Sequence, residues 1–403
     1  AVSDTDDAMG SWKSTQFTGF AGGTADYPTL ALDKTSVYIG TNNFKVGCNP
    51  FNLTSNSFCG TTLNVIPLDS LFNNSTPTVA NMKQFVNTYT YGASADVDQG
   101  FAQQGVNSSS TGTPGYVVAN SLFYNDNIAF DVNGLTSSSA TGGSLSTLDA
   151  PVIGMAAMTD AGPARQPSPI VANQRIIDTL GQRISSSAYE VGGLIYMVQT
   201  VDSLGDGLDE ARVRYTIINA TTKAIVAEGD IGTAGYDYYQ GAIAVNALGQ
   251  VVIVYNRSGS SATDGKISVM AQTFKTSASG DLVAVSGELL LKVSLTDDYH
   301  NGSLAGQALW RLQLSGNTVV SRSSMYAELG ERFRDVPTSA WSGCPWTRCR
   351  ACRCACWRGC RRRRPSQKSL GPRLRGDERI LSSDPQHRSS PRRRGPKPSP
   401  VNC

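Results

Sequence analysis

One short segment of the chain combines aromatic rings with a carboxylate: Tyr236, Asp237, Tyr238 and Tyr239 are consecutive. Sugars stack their apolar faces on aromatic rings, and a carboxylate can bond to hydroxyl groups or act as an acid or base. We therefore predict Asp237, Tyr238 and Tyr239 as candidate catalytic residues. The alternative is that these tyrosines pack at the beginning of a strand and serve the fold.

A similar pair lies near the N-terminus, where Asp26 precedes Tyr27. We predict Asp26, Tyr27, Tyr236 and Arg257 as ligand-binding residues, on a face where loops meet strands. Because the aromatic and acidic pair recurs along the chain, a role in the fold is the alternative to a unique active site.

A glycine-containing loop carries Asp202, Asp206 and Asp209. Calcium takes about six to eight oxygen ligands, so these residues are candidate calcium ligands, and no other cofactor is expected. The spacing of an EF-hand is absent, because Leu204 occupies a required acidic position. The alternative is a solvated loop between two strands.

Residues 1–340 contain a single histidine, His300, so few sites there could use histidine. That count excludes a histidine-ligated zinc or iron site in the body of the protein. No Gly-x-Ser-x-Gly nucleophile elbow is present either. We therefore interpret His300 as a loop residue.

Charge is divided unevenly between the body and the C-terminus. Residues 341–403 contain 17 of the 35 Lys/Arg and 3 of the 32 Asp/Glu, so they carry +14 and the other residues carry −11. Seven of the nine cysteines lie there, at spacings unlike paired zinc knuckles. We predict a disordered Arg/Cys/Pro-rich tail over 341–403, produced by translation out of frame. A functional basic tail is the alternative, but its basic segments 371–377 and 389–394 contain no aromatic residues of the kind expected for binding nucleic acid.

The two remaining cysteines, Cys48 and Cys59, flank a short polar loop. We predict a disulfide between them, which indicates an oxidising compartment. No run of about 18 apolar residues exists, so no membrane span is expected. The chain begins with Ala1 rather than Met, which indicates either a removed signal peptide or an incomplete upstream sequence. We expect a bacterial secreted or cell-envelope location and a monomer.

Short apolar runs separated by Gly, Asn and Asp predict an all-β protein. The strand pair in 27–42 recurs in 239–256, with Asp33 and Asn246 at the turns, and a weaker copy in 187–199 turns at Gly192 and Gly193. Further pairs are predicted at 116–119 with 128–132, 213–218 with 224–229, and 267–274 with 282–293. Repeated hairpins favour a β-propeller over a β-sandwich.

Several segments resemble uncharacterised secreted bacterial propellers of the sialidase-like superfamily. They are Asp26–Asp33, Tyr38–Phe44, Asp237–Asn246 and Tyr255–Gly259. The resemblance covers residues 12–306, after an N-terminal extension over 1–11, and implies a propeller of about six or seven blades in the intact protein. The Asp-box of sialidases, Ser-x-Asp-x-Gly-x-x-Trp, is absent.

The same resemblance suggests where the reading frame breaks. Members of the superfamily carry a later phrase Arg-aromatic-Gly-Asp-Tyr-Ser. Codons for residues 308–313, when read one nucleotide later, can encode Arg-Phe-Gly-Asp-Tyr-Ser. We therefore predict that residues 307–340 are out of frame.

The expected function is binding of a carbohydrate or another cell-surface polymer. A glycoside hydrolase that uses Asp/Glu and Tyr is the first alternative, and a structural surface protein is the second.

Overall fold

The computed structural model describes most of the body of the chain. The described residues are 1–5, 7, 10–49, 54, 56–72, 76–88, 98–109, 114–122, 126–146, 158–167, 175–202, 209–293, 309–315 and 318–325. They are almost entirely β-structure, in agreement with the predicted class.

Four consecutive antiparallel units, which we call blades 1 to 4, make up most of the described residues, and blades 2 and 3 are joined into one eight-stranded sheet. Blade 1 contains β3 (Thr24–Asp26), β4 (Ala31–Leu32), β5 (Ser36–Val46), β6 (Asn56–Pro67) and β7 (Lys83–Thr88), and helix α1 (Leu68–Phe72) follows β6. Blade 2 contains β8 (Phe101–Ser108), β9 (Gly115–Asn120), β10 (Asn127–Asn133) and β11 (Ser144–Leu145). Blade 3 contains β14 (Ala188–Val191), β15 (Leu194–Asp202), β16 (Ala211–Asn219) and β17 (Ile225–Ile231). Blade 4 contains β18 (Tyr236–Val245), β19 (Gln250–Gly259), β20 (Ser268–Thr276), β21 (Leu282–Ala284) and β22 (Leu289–Val293).

Three short two-stranded sheets lie outside the blades. They are β1 (Val2–Ser3) with β2 (Trp12–Lys13), β12 (Ala164–Arg165) with β13 (Arg175–Ile177), and β23 (Leu309–Ser315) with β24 (Thr318–Met325).

The first strands of blades 1, 2 and 3 lie side by side and run in the same direction. β8 and β14 pair directly in parallel. Between blades 1 and 2, the Thr29 hydroxyl donates to the Gln103 carbonyl oxygen at 2.6 Å. Farther along both strands, the Leu32 N–H donates to the side-chain oxygen of Asn107 at 3.1 Å. Residue numbers increase in the same direction on both strands from the first contact to the second, which is the pattern of a parallel pair.

Blade 4 continues the series on the other side of blade 3. The Ser185 hydroxyl donates to the Gly241 carbonyl oxygen at 2.6 Å, and the Ile243 N–H donates to the Ser186 hydroxyl at 3.3 Å. Antiparallel four-stranded units with adjacent, parallel first strands are the arrangement of a β-propeller. The fold class predicted from the sequence is therefore confirmed.

The hydrophobic core is divided into layers between neighbouring blades. Each layer forms because alternate strand residues point towards the adjacent sheet. Blades 1 and 2 bury Tyr38, Leu63, Val117 and Phe130; blades 2 and 3 bury Val118, Ala129, Ile195, Met197 and Ile218; blades 3 and 4 bury Tyr196, Val213, Tyr238, Ile253 and Tyr255.

The turns that repeat in the sequence fold as predicted. Asp33 accepts hydrogen bonds from the N–H groups of Thr35 and Ser36, at 2.7 and 2.8 Å. Asn246 likewise accepts from the N–H groups of Leu248 and Gln250, both at 3.0 Å. A short side chain that bonds to the following backbone favours a tight turn, which explains why Asp and Asn occupy these positions.

The paired strands predicted from the sequence are confirmed, with one correction. Residues 282–293 form two strands, β21 and β22, which both pair with β20. The chain is diverted between them because the Ser286 hydroxyl accepts a hydrogen bond from the Thr273 N–H at 3.1 Å. The disulfide between Cys48 and Cys59 is present, as predicted.

Close packing between blades 1 and 2 requires glycine. The fully buried Tyr38 lies against Gly105 and Gly115 of blade 2. A Cβ atom on Gly105 would meet the Tyr38 Cβ at 2.6 Å, and one on Gly115 would meet the hydroxyl oxygen at 2.0 Å. Both distances are too short for any other residue unless the blades move apart.

Part of the C-terminal prediction falls on described residues. Within the predicted out-of-frame segment, β23 and β24 form an antiparallel pair. The predicted tail over 341–403 and His300 lie outside the described residues. In the part of the chain that is described, no helix has the length and apolar character needed to cross a membrane.

Candidate functional site

The beginnings of the four first strands lie at the same end of the propeller. We call this end the first-strand mouth and define it by Tyr27, Phe101, Arg183 and Gln240, one residue from each blade in order. The guanidinium of Arg183 lies 5.0 Å from the ring centre of Tyr27 and 5.5 Å from that of Phe101. A single side chain of blade 3 therefore contacts blades 1 and 2.

The backbone at the mouth is strained. Positive φ angles occur at Tyr27 (50°), Ala102 (51°), Leu180 (66°) and Gln240 (54°), in or just before the first strands. One further non-glycine residue with positive φ among the described residues, Lys223, lies in a hairpin turn. Such conformations cost about 1–3 kcal/mol each and cluster at binding and catalytic sites. Their recurrence in every blade marks this end as a candidate site.

Side chains from neighbouring second strands stabilise two of the strained turns. The Ala102 N–H donates to the side-chain oxygen of Asn42 at 2.9 Å. The Gln240 N–H donates to the hydroxyl of Thr200, also at 2.9 Å. In each case the strained residue in one blade is hydrogen-bonded to the preceding blade. Contacts between neighbouring blades therefore stabilise the backbone of the mouth.

Two carboxylates stabilise the third turn, which precedes Arg183. Asp178 accepts a hydrogen bond from the Leu180 N–H, and Asp160 accepts one from the Gln182 N–H, both at 2.8 Å. Both aspartates are exposed. They therefore place negative charge beside Arg183 while leaving oxygen atoms available to solvent.

Several buried amide oxygens close to the strained turns have no hydrogen-bond donor among the described residues. They belong to Gln103, Asn120 and Asn256. Asn120 pairs with Phe101 across β8 and β9, and Asn256 pairs with Tyr239 across β18 and β19. An unsatisfied buried acceptor costs about 1–3 kcal/mol, so these oxygen atoms add to the energetic cost of the strained turns.

Arg183 and Phe101 are site residues that the sequence analysis missed. Neither lies in a motif, and they are far from Tyr27 along the chain, so only the parallel first strands bring the three together. Of the predicted ligand-binding residues, Tyr27 lies in the mouth and is half-buried, and the exposed Asp26 precedes it. The signal for Tyr27 was its place in the recurring acidic and aromatic pair with Asp26.

The predicted catalytic carboxylate, Asp237, is fully buried in a network of charges. It accepts hydrogen bonds from the Arg165 N–H and Nε–H, both at 2.8 Å, and from the Ala211 N–H at 3.1 Å. Arg165 also donates to Glu210 at 2.7 Å. Burial on its own lowers the pKa of Arg165, but these carboxylates outweigh it and raise that pKa above its ordinary value. The network connects the start of blade 4 to β12 and to blade 3.

Glu210 completes this network. It accepts hydrogen bonds from Arg165 and Arg212 at 2.7 Å, and from the Gly235 N–H at 2.8 Å. Burial on its own raises the pKa of Glu210, but the hydrogen bonds from the two arginines outweigh it and hold that pKa below its usual value. Glu210 is therefore a stabilising anion.

The predicted catalytic tyrosines also lie inside the protein. Tyr238 and Tyr239 are fully buried, and burial raises the pKa of both hydroxyls. The Tyr238 ring packs 5.5 Å from that of Tyr255, and its hydroxyl lies 2.8 Å from that of Thr233. These contacts are those of core residues at the beginning of a strand.

Tyr236 and Arg257, two of the predicted ligand-binding residues, contact each other on blade 4. The guanidinium of Arg257 lies 4.8 Å from the ring centre of Tyr236. Each is also bonded to a carboxylate: Arg257 donates to Glu288 at 2.8 Å, and the Tyr236 hydroxyl donates to Asp264. This pair resembles the stack on Arg183, but its cation already has an anionic partner.

The predicted calcium site is described only in part. Asp206 lies outside the described residues, whereas Asp202 ends β15 and the exposed Asp209 precedes β16. Within the described ranges, no three His, Cys, Asp or Glu residues form a group that could hold a metal ion.

Comparisons with known proteins find only weak structural similarity. No family model matches the sequence, and no curated protein matches it. Among solved structures, a subtype N10 neuraminidase-like protein of A/little yellow-shouldered bat is 11% identical, with a TM-score of 0.35 over 77% of this chain and 85% of that one. An endo-arabinase from Bacteroides thetaiotaomicron is also 11% identical, with a TM-score of 0.28 over 65% of this chain and 80% of that one.

A neuraminidase-like protein from A/bat/Guatemala is 9% identical, with a TM-score of 0.36 over 74% of each chain. At such TM-scores, these similarities support no argument about this protein. The assignment to the class of β-propellers therefore rests on the sheet topology and strand directions of the chain itself.

Proposed function

We propose that this protein binds a carbohydrate or another cell-surface polymer at the first-strand mouth. The observation that carries the proposal is the convergence of four strained first-strand turns at one end of the propeller, around the half-buried Tyr27. Strained backbone persists only where the surrounding structure enforces it, and it is concentrated at sites that bind or react.

The polar groups around the mouth suit a ligand with many hydroxyl groups. The exposed carboxylates of Asp26, Asp160 and Asp178 can accept hydrogen bonds from hydroxyls. A surface rich in acceptors favours a ligand rich in donors, which describes a polysaccharide.

A glycan array with the full-length protein tests the proposal. Tyr27→Ala should weaken binding roughly fivefold to tenfold, because one aromatic contact contributes about 1 kcal/mol. Tyr116→Ala is the matched control, since Tyr116 is also half-buried beneath a cation, Lys223 at 4.6 Å, but lies in β9 away from the mouth. Equal losses in both variants, or binding to no glycan, would contradict the proposal.

The enzyme alternative, a glycoside hydrolase, is favoured by the exposed carboxylates at the mouth, because glycosidic bond cleavage uses a pair of Asp/Glu residues. Asp160 and Asp178 are the accessible candidates, whereas Asp237, Tyr238 and Tyr239 are the candidates from the sequence. A reducing-end assay on every bound glycan separates this alternative from binding. Turnover that Asp160→Asn or Asp178→Asn abolishes, with binding retained, favours the enzyme.

We also propose that the protein acts outside the cytoplasm, in the bacterial envelope or the medium, as a monomer. The disulfide supports this location, since such bonds persist in oxidising compartments. If glycan binding and turnover are both absent, the structural surface protein is the remaining candidate.

A further inference from the structure

Arg183 differs from the other arginines whose side chains the structure describes. Arg165, Arg212, Arg214 and Arg257 each form an ion pair with a carboxylate at 2.7 or 2.8 Å. No described carboxylate lies within 4.0 Å of the Arg183 guanidinium, although Arg183 is half-buried. Among the arginines whose side chains the structure describes, Arg183 is thus the one without an anionic partner.

Aromatic side chains fix the position of this guanidinium. It stacks on Tyr27 and Phe101, and Phe101 is itself supported by the edge of Phe58, with ring centres 5.3 Å apart. Phe44 contacts Phe58 in turn at 5.8 Å. Stacking uses the faces of the guanidinium and leaves the N–H donors at its edge available. The side chain is therefore pre-organised to donate hydrogen bonds to a planar or tetrahedral oxyanion.

We propose that Arg183 binds an oxyanion of the ligand, a carboxylate or a sulfate, so that the protein selects an acidic polysaccharide. This inference rests on the proposed function, because it names the class of ligand for the same site. The charged groups around Arg183 narrow the class of ligand further. Asp160 and Asp178 approach the turn before it, so a densely charged polyanion is repelled while one oxyanion among hydroxyl groups is accepted.

The test measures binding of the full-length protein to two matched pairs of polymers. Highly methyl-esterified polygalacturonate, which keeps only a few free carboxylates, is compared with its carboxyl-reduced form, and lightly sulfated dextran is compared with dextran. The wild-type protein should bind at least one acidic polymer about tenfold more tightly than its neutral counterpart, and the pair that responds identifies the oxyanion. Arg183→Gln should remove that preference, with a loss of roughly tenfold to a hundredfold for the acidic polymer, as expected for hydrogen bonds to a charged group.

Lys223→Gln is the matched control, because Lys223 also lies over a tyrosine ring, that of Tyr116, but is already bonded to Asp131 and lies away from the mouth. Its affinity should stay within about twofold of the wild type. Arg183→Lys provides a second test in case the glutamine variant does not fold. Lysine keeps the charge but lacks the planar donors of arginine, so this variant should retain only part of the preference for the acidic polymer.

The possible outcomes test the proposed function and the oxyanion inference separately. Equal binding to acidic and neutral polymers, reduced by Tyr27→Ala, supports the proposed function and overturns the oxyanion inference. An acidic preference that survives in Arg183→Gln also overturns the inference. Binding to none of the four polymers, with no glycan bound on an array, contradicts the proposed function itself.

Discussion

Replacing Asp237 with Asn tests whether this carboxylate serves the fold. The substitution keeps the size of the side chain but removes its charge, and it places an amide donor where the carboxylate accepts three hydrogen bonds. Arg165 then loses one of its two carboxylates, and one N–H donor faces another. We expect Asp237→Asn to lower the free energy of unfolding.

The magnitude follows from the geometry of the network. Breaking a buried ion pair costs about 3–5 kcal/mol. Because Arg165 keeps Glu210 at 2.7 Å and is 15% exposed, we expect the lower end of that range, about 3 kcal/mol. If the free energy of unfolding falls by about 3 kcal/mol per molar of urea, the urea concentration at the unfolding midpoint should fall by about 1 M.

Urea denaturation followed by tyrosine and tryptophan fluorescence measures this change. Asp264→Asn is the control, since Asp264 is a surface carboxylate that accepts one hydrogen bond from Tyr236; its midpoint should not change. An unchanged midpoint for Asp237→Asn, together with loss of turnover on a bound glycan, would refute the structural role and restore Asp237 as a catalytic group.

Three further predictions concern stability. Replacing Cys48 and Cys59 with serine should cost about 2–3 kcal/mol, because the bond closes a loop with a sequence separation of 11 residues; mass spectrometry of a non-reduced digest should first show the linked peptides. Gly105→Ala should destabilise the protein by about 1–3 kcal/mol through its contact with a buried tyrosine, whereas Gly287→Ala, with no atom within 4 Å of its added Cβ, should have little effect on the melting temperature. Burial alone raises the pKa of Glu210, but its bonds to two arginines lower that pKa in the folded state, so its contribution is complete above the ordinary value of about 4.3 and is lost as the pH falls below it. Urea midpoints measured between pH 6 and pH 3 should therefore decline less steeply in Glu210→Gln, and parallel slopes would contradict the assignment.

The strands and their turns were predictable because their signals are local. Alternating apolar residues give the strands, and Asp33 and Asn246 give the turns through bonds to their own backbone. The split of residues 282–293 was missed because it depends on a hydrogen bond from Thr273 to Ser286, which are joined only in the folded sheet.

The candidate site was only partly predictable, because burial is a property of the whole fold. The sequence shows that Tyr238 and Tyr239 are aromatic, but it does not show that blade 3 covers Tyr238 or that Tyr239 packs with residues of β12 and β13. Arg183 gave no signal for a similar reason, since its rings come from Tyr27 and Phe101 in two other blades. Residues brought together by parallel first strands are distant in sequence and share no motif.

Hydrogen–deuterium exchange in the presence of a bound polymer tests the location of the site most directly. The polymer is the glycan that binds most tightly on the array, added to the full-length protein. We predict slower exchange in peptides that contain Tyr27, Phe101 and Arg183, three segments that meet only at the first-strand mouth. Protection confined to the face of Tyr236 and Arg257, or no protection at the mouth under saturating polymer, would contradict the account.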